Sequence, residues 1–324
     1  MALHVVPLTH DHVPAAADLM ARRYRRLRGT IPQLPPRYGD EAVLMPMLET
    51  IVGCAAGVAA MEGERLVGFI AGVAIPEFKG RRAVLSPEWA NAAVPAGEGG
   101  ESSAIYERMY AAVADAWAAA GCSCHLIGQF PDDAGALDGW FHQGFGLLCI
   151  DGVRDLSIPD APPAPVEVRR AGPADVAVVS ALSRGLSDHG RASPIFLDGH
   201  PEDEDAWAAQ LEGDERVVFL ALASGTLAAY MRIGSASDDA CGVIMDEGTA
   251  SITGAYAAPD VRRLGVATAL LRACLAWAAE RGYARCAVDW ESANIEGNRF
   301  WRRHFAPVCY SLIRVVDEAL VAGG

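Results

Sequence analysis

The sequence predicts a mixed α/β (α+β) protein made of two tandem domains, each with a mixed, mostly antiparallel sheet flanked by helices. Strand-like and helix-like stretches follow one another in the same order twice, which indicates an internal repeat. Aromatic residues of the first half return 160 positions later: Trp117 as Trp277, Trp140-Phe141 as Phe300-Trp301, and Phe145 as Phe305. A proline-rich stretch, 159–165, separates the two halves and is predicted to be a semi-rigid linker.

The first predicted domain covers residues 1–158. A polar turn over 62–65 predicts a hairpin, and Pro87 interrupts the strand-like stretch that follows it. Five arginines between 22 and 28 are interpreted as a solvated helix end. In order, the pattern predicts a strand over 3–8, helices over about 9–28 and 41–51, strands over 54–61, 66–75 and 83–92, a helix over 105–120, a strand over 124–130, a helix over 134–142 and strands over 145–156.

The second predicted domain covers residues 166–324 and repeats this order. Gly282 stands where a left-handed cap ends a helix, and Ser224-Gly225 lies at the turn of a hairpin. The pattern predicts a strand over 166–170, helices over 174–186 and 202–211, strands over 217–223, 226–233 and 251–258, a helix ending near 282, a strand over 286–290, a helix over 294–304 and a closing strand over 308–316.

Composition limits the class of protein. Hydrophobic residues make up 52% of the 324 positions and charged residues 21%, which favours a well-buried globular chain and excludes disorder. The net charge of −14 argues against binding to nucleic acid or to anionic membranes. No signal-peptide pattern and no apolar run of membrane-spanning length is found, so a cytoplasmic location is predicted.

The eight cysteines follow no framework spacing and are predicted to be free thiols in a reducing compartment. Cys122-Ser123-Cys124-His125 has the residue types of a metal site. No second ligand pair follows at the spacing that zinc requires, however, so no metal is expected.

The motif that points to function is Arg262-Arg263-Leu264-Gly265-Val266-Ala267. It joins an apolar strand to an amphipathic helix, and the helix start has no Ser, Thr, Asp or Asn cap. The free backbone N–H groups of such a start need an acceptor, which a bound anion supplies. Gly265 permits a close approach of the backbone, and the two arginines suit phosphate. Between Pro259 and Arg303 eight arginines face five acidic residues, a basic island in an acidic chain.

The spacing Arg-x-x-Gly-x-Ala between strand and helix resembles the acetyl-CoA pyrophosphate loop of the GCN5-related N-acetyltransferases, the GNAT superfamily. The repeated element order resembles the GNAT fold, so the resemblance covers the whole chain as tandem domains. It implies a backbone contact of the strand with the pantetheine arm, amides that hold the pyrophosphate, and asparagines beside the arm. The implied cofactor-binding residues are Ala255, Tyr256, Ala257, Arg262, Arg263, Leu264, Gly265, Val266, Ala267, Thr268, Asn294 and Asn298.

The resemblance implies an acetyl-CoA-dependent N-acetyltransferase that transfers directly to a primary amine of a small molecule or an amino terminus. The general base is assigned to Glu247 or Glu291, with relay through water. Trp301 stands where many family members have Tyr, and indole cannot act as an acid. Either Tyr310 replaces it, or the thiolate leaves unassisted. Acceptor contacts are expected in the loops over 189–205 and 235–242.

The first predicted domain carries no such cradle. Glu98 and Glu101 lie where the phosphate loop would be and would repel a pyrophosphate, so this domain is interpreted as a degenerate repeat. One acetyl-CoA per chain and a monomer or homodimer are expected. The missing Tyr leaves open a second interpretation, a non-catalytic acetyl-CoA sensor, and the first domain leaves open a third, an interaction scaffold.

Overall fold

The computed structural model describes residues 2–95, 102–160, 166–223, 225–236 and 240–321, which divide into two compact units. The first unit takes the chain up to Asp151, the short segment Cys241–Val243 and the chain from Pro307 on. The second takes the residues between, from Gly152 to Ala306 without that segment. The predicted boundary was the linker 159–165, of which 161–165 lie outside the described residues. Along the chain, the first unit ends at Asp151 and the second begins at Gly152, within a strand. The closing strand is part of the first unit from Pro307 on.

The helices are α1 Val13–Thr30, α2 Glu41–Ile51, α3 Ser102–Ala119, α4 Ala134–His142, α5 Val176–Arg191, α6 Glu204–Glu212, α7 Val266–Glu280 and α8 Ile295–His304. The strands are β1 Leu3–Pro7, β2 Val58–Glu62, β3 Arg65–Ile70, β4 Val73–Phe78, β5 Arg81–Ser86, β6 Asn91–Ala93, β7 Cys124–Gln129, β8 Gly146–Arg154, β9 Val166–Arg170, β10 Val217–Ala223, β11 Thr226–Ser235, β12 Thr249–Ala257, β13 Arg285–Glu291 and β14 Ala306–Val315. None of the helices in the described ranges is long and apolar enough to cross a membrane.

In the first unit the strands form two groups. β1, β2, β3 and β6 pair antiparallel in the order β1-β2-β3-β6. β4 pairs antiparallel with β5, β5 runs parallel to β7, and β14 pairs antiparallel with β7. The turn at Pro87 separates β5 from β6, as the sequence predicted. Trp117, Trp140 and Tyr106 are fully buried where α3 and α4 cover the sheet.

The second unit has one sheet in the order β9-β10-β11-β12-β13. All its pairs are antiparallel except β12 with β13, which is parallel. Its core on one face gathers α5, α6 and the inner strands through Val179, Leu182, Trp207, Leu220 and Tyr230. These mixed, mostly antiparallel sheets flanked by helices are the predicted fold class.

Single residues fix the ends of two of the predicted helices. Gly282 has φ of +81°, the left-handed conformation expected of a residue that ends α7. The helix predicted over 41–51 has these bounds because Asp40 caps it, with its side chain accepting the Ala42 amide at 2.9 Å. The arginine-rich end of α1 was predicted to be solvated. Arg23 departs from that prediction, because it is only 7% exposed.

Candidate active site

A gap opens in the sheet of the second unit where two parallel strands separate. β12 and β13 pair only from Thr249 with Arg285 to Ile252 with Val288. A register irregularity follows on β12, and its last residues, Ala255, Tyr256 and Ala257, pair only with β11. Alternate backbone groups of a strand point to opposite sides, so some N–H and C=O groups of these residues face the gap.

The helix that begins at this gap has an open N-terminus. Gly265 is the N-cap of α7, with φ of +82° and no side chain to accept a hydrogen bond. The first helical bond joins the Ala269 amide to the Gly265 carbonyl at 3.0 Å. Among the described residues, no acceptor meets the amides of Val266, Ala267 and Thr268. These N–H groups and the positive end of the helix dipole form a place for an anion.

The two arginines of the motif have different environments. The Nε of Arg262 donates to the Ala257 carbonyl at 2.9 Å, its Nη1 contacts Glu296, and its guanidinium lies 5.8 Å from the centre of the Tyr256 ring. Arg262 therefore fixes the loop to the end of β12. Arg263 has φ of +64° and an exposed side chain. Of the two arginines, Arg263 therefore presents its charge to the solvent. A non-glycine residue held in that conformation suggests a functional constraint.

These features lie in one cleft of about 830 Å³. The strand end, the loop and the start of α7 form one side, and α8 contributes Asn294, Phe300 and Trp301 to the other. The charged residues of the lining are Arg262, Arg263, Arg272, Arg299, Arg303 and Glu296. Five arginines against one glutamate make the cleft strongly positive within an acidic chain, which favours a polyanionic ligand.

Polar groups from α5 and β11 also face this cleft. His189, in the last turn of α5, places its Nε2 3.4 Å from the Oδ1 of Asn294. Tyr256 packs against Gly185 of α5, where an added Cβ would lie 2.8 Å from the ring. Tyr230 is almost fully buried, and burial raises the pKa of its phenol to about 12. That phenol stays protonated near neutral pH and acts as a hydrogen-bond donor.

Most of the predicted cofactor-binding residues come together at this cleft. Its lining contains Ala255, Tyr256, Ala257, Arg262, Arg263, Leu264, Gly265, Val266, Ala267, Thr268 and Asn294. Asn298 is not among the described lining residues, because its Oδ1 accepts from the Trp290 indole at 3.0 Å. Asn294 caps α8 by accepting the Gly297 amide at 3.0 Å, and its carbonyl accepts the Asn298 amide at 2.7 Å, as the i, i+4 spacing requires.

The predicted catalytic groups are placed elsewhere. Glu247 is exposed in the turn before β12, and about eight residues of strand put it roughly 25 Å from Ala255. Glu291 ends β13, and its carbonyl accepts a hydrogen bond from the Asn294 amide at 3.1 Å. It is not among the described residues that line the cleft. Tyr310 belongs to the first unit, on β14 opposite Gln129. The sequence of a strand does not show which of its two ends will line a cleft, so the positions of these groups could not be read from it.

The sequence did not single out His189, Arg272, Arg299 or Arg303 as residues that line a cleft. His189 was noted only as the start of a loop. The local excess of arginine was the available signal for the others, and Arg299 and Arg303 are four residues apart on α8, hence on one face.

Comparisons with known proteins agree with this geometry. The model of the acetyltransferase (GNAT) family matches residues 186–305. A GCN5-related N-acetyltransferase from Sphaerobacter thermophilus is similar in structure with a TM-score of 0.52 at 13% identity, covering 97% of this chain and 95% of that one. The GCN5-related glucosamine N-acetyltransferase region of a fungal multi-domain GH3 β-N-acetylglucosaminidase has a TM-score of 0.51 at 15% identity, covering 96% of this chain and 38% of that one.

A search of curated protein sequences finds no match to this chain. At these identities the solved structures establish the fold alone, while the family model covers the strand, loop and helix that build the cleft. Residues 186–305 therefore match the acetyltransferase (GNAT) family, as the loop motif within them predicted.

Proposed function

We propose that the protein is an acetyl-CoA-dependent N-acetyltransferase whose chemistry takes place in the cleft of the second unit. The observation that carries the proposal is the uncapped start of α7, opened by left-handed Arg263 and Gly265 and set in a cleft with five arginines. A pyrophosphate is the kind of anion that such a helix start accepts.

The residues present fit this cofactor. The free amides of Val266, Ala267 and Thr268 would hold the pyrophosphate, and the unpaired edge of β12 would hydrogen-bond the pantetheine arm. Arg263, Arg272, Arg299 and Arg303 would neutralise phosphate charge. Acetyl-CoA supplies an activated acetyl group as a thioester.

His189 is the group best placed to act as general base. An amine acceptor is protonated near neutral pH and must lose a proton before its nitrogen can attack the acetyl carbon. His189 lines the cleft, and its neighbour Asn294 holds one ring nitrogen, which leaves the other for the acceptor or for a relaying water. The C–S bond then breaks, and the thiolate leaves unassisted or with a hydrogen bond from a phenol of the cleft.

Calorimetry with acetyl-CoA, followed by a thiol-release assay over a panel of primary amines, tests the function. One molecule bound per chain and thiol release with at least one amine are expected. Binding to neither acetyl-CoA nor CoA would contradict the assignment of the cleft.

The role of His189 is tested by His189→Gln, with His200→Gln as the control. His200 is exposed and is not among the described lining residues. Loss of a general base lowers kcat by about 10²–10⁴-fold. The affinity for acetyl-CoA should stay unchanged, because the proton transfer concerns the acceptor. An unchanged kcat would remove His189 from the mechanism.

A second candidate function, a non-catalytic acetyl-CoA sensor, is favoured by one observation. Neither of the carboxylates predicted as bases is among the described residues that line the cleft. The amine panel separates the two functions: binding of acetyl-CoA without thiol release on any amine supports the sensor.

A further inference from the structure

Away from the cleft, the first unit brings together side chains of the kinds that bind soft metal ions. A carboxylate oxygen of Asp151 and the Sγ atoms of Cys241 and Cys309 all lie within 4.8 Å of one another. They come from β8, from the segment Cys241–Val243 and from β14. Asp151 and Cys309 are 4% and 1% exposed. Three ligand atoms from distant parts of the chain converge in a largely buried place.

A second carboxylate adjoins this group. Glu88, 4% exposed, accepts the Val243 amide on its Oε1 at 2.8 Å. A Cβ added to Gly242, next to Cys241 in the chain, would lie 3.4 Å from the same oxygen. The carboxylate of Glu88 therefore stands beside the peptide that carries Cys241.

We propose that Asp151, Cys241 and Cys309 bind a thiophilic divalent cation of the zinc class, with Glu88 or a water in the fourth position. Zn–S and Zn–O bonds of about 2.3 and 2.1 Å place tetrahedral ligand atoms roughly 3.5–3.8 Å apart. The ligand atoms here lie within 4.8 Å of one another, so binding requires an approach of up to about 1 Å. Binding exchanges the two thiol protons for the metal and releases them to solvent.

The contrast with the other cysteine cluster supports this choice. Cys122, Cys124 and His125 are buried, and His125 uses both ring nitrogens, with Tyr110 Oη at 2.8 Å and the Cys122 carbonyl at 3.2 Å. His125 therefore has no ring nitrogen left for a metal ion. In the proposed site the Cys241 amide already donates to the Asp151 Oδ1 at 2.9 Å, and a metal would add further ties from this segment to β8 and β14, a structural role.

The test uses the full chain, metal-depleted under reducing conditions and titrated with Co²⁺ and then Zn²⁺. We expect one Co²⁺ per chain, a thiolate-to-cobalt charge-transfer band in the near ultraviolet, displacement by Zn²⁺, and an affinity that rises with pH. Cys309→Ser should remove about half of the band. Asp151→Asn removes a direct ligand, so it should weaken binding by at least the roughly tenfold loss that a change at an outer partner of a metal site causes. Cys274→Ser is the control, since that buried thiol lies outside the proposed ligand set.

Absence of the charge-transfer band in the wild-type chain would overturn the proposal, and that result does not depend on how any variant folds. An equal loss of Co²⁺ binding in Cys274→Ser would also overturn it. So would a Cys241–Cys309 disulfide as the resting state, found by alkylation and mass spectrometry of protein taken directly from cells under denaturing conditions.

Discussion

The two units share the order of their helices, although five described strands lie between α2 and α3 where three lie between α6 and α7, and they differ at the place where strands separate. In the second unit the gap between β12 and β13 is open, and the uncapped start of α7 faces it. In the first unit the corresponding strands are β6 and β7, and the protein's own side chains occupy the space. Asn91 of β6 donates to the Gly128 carbonyl of β7 at 2.9 Å.

Arg23 supplies the positive charge at that place in the first unit. It extends from α1, donates to the Tyr106 hydroxyl at 2.7 Å and pairs with Asp133 at 3.3 Å. Tyr106 in turn donates to the Oδ1 of Asn91 at 3.2 Å. The buried network is thus hydrogen-bonded internally and leaves no need for an outside anion.

The helices show the same difference. α4 lies close to α3 at two glycines. A Cβ added to Gly135 would lie 2.6 Å from the Ser102 hydroxyl, and one added to Gly139 would lie 3.0 Å from the Ser103 Cα. The Ser102 hydroxyl donates to Asp133 at 2.9 Å. In the second unit α7 and α8 instead both contribute to the wall of the cleft. The first unit therefore has an internal ion pair at the place where the second unit has a cleft. The predicted repulsion from Glu98 and Glu101 lies outside the described residues.

The largest effect that tests this comparison is expected from Arg23→Met. It leaves the carboxylate of Asp133 buried without its partner, which costs about 3–5 kcal/mol of unfolding free energy. Urea denaturation measures the change. Arg22→Met is the control, because the neighbouring Arg22 makes an exposed i, i+4 pair with Asp18 and should change stability by less than about 0.5 kcal/mol. Equal effects would show that the network does not stabilise the first unit.

A pH dependence should also distinguish the units. His125 is fully buried, and burial lowers its pKa to about 4. Below about pH 6.5 the unfolded chain binds a proton that the native His125 refuses, so stability falls by up to about 1.4 kcal/mol per pH unit until pH 4. At the position 160 residues on, the second unit has Arg285 instead of a histidine, and its guanidinium pairs with Asp246 at 2.9 Å.

His125→Gln should therefore make the loss of stability between pH 6.5 and pH 4 shallower, as measured by urea denaturation at several pH values. His142→Gln, at an exposed position of α4, should leave the pH dependence as it is. An unchanged slope in His125→Gln would mean that the native imidazole takes a proton freely.

The open helix start is tested by Gly265→Glu, which adds a carboxylate where the pyrophosphate would bind. Loss of several charge-assisted hydrogen bonds should weaken acetyl-CoA at least about a hundredfold in calorimetry. Gly282→Glu is a matched control, since Gly282 has a φ of +81° against +82° and lies at the other end of α7. Similar losses in both variants would indicate a general disturbance of the helix.

The smallest effect is expected from Arg303→Ala, which removes one of the five arginines of the cleft. A loss of about tenfold in acetyl-CoA affinity corresponds to about 1.4 kcal/mol, and its size should fall at high salt. Arg302→Ala, at the adjacent exposed position outside the described lining, should bind as the wild type does. A larger loss in Arg302→Ala would reverse the assignment of the helix face.

Much of the fold could be predicted because it depends on local patterns. Hydrophobic periodicity, the Asp40 cap, Pro87 and Gly282 each act within a few residues of themselves, and the observed elements follow them. The uncapped helix start after β12 could be predicted for the same reason, since strand, loop and helix are consecutive. The proposed base could not be predicted in this way, because His189 and the loop come together only through the packing of α5 on the sheet.

The sequence by itself determined much of the element order and the uncapped helix start, because these follow from backbone propensities and from the absence of a capping side chain. Only the tertiary structure decided which arginine is buried, which strand end forms the cleft, that the closing strand joins the first unit and that Asp151, Cys241 and Cys309 meet. Such meetings depend on long-range packing, where burial and Coulomb energies act between residues that no spacing in the sequence connects.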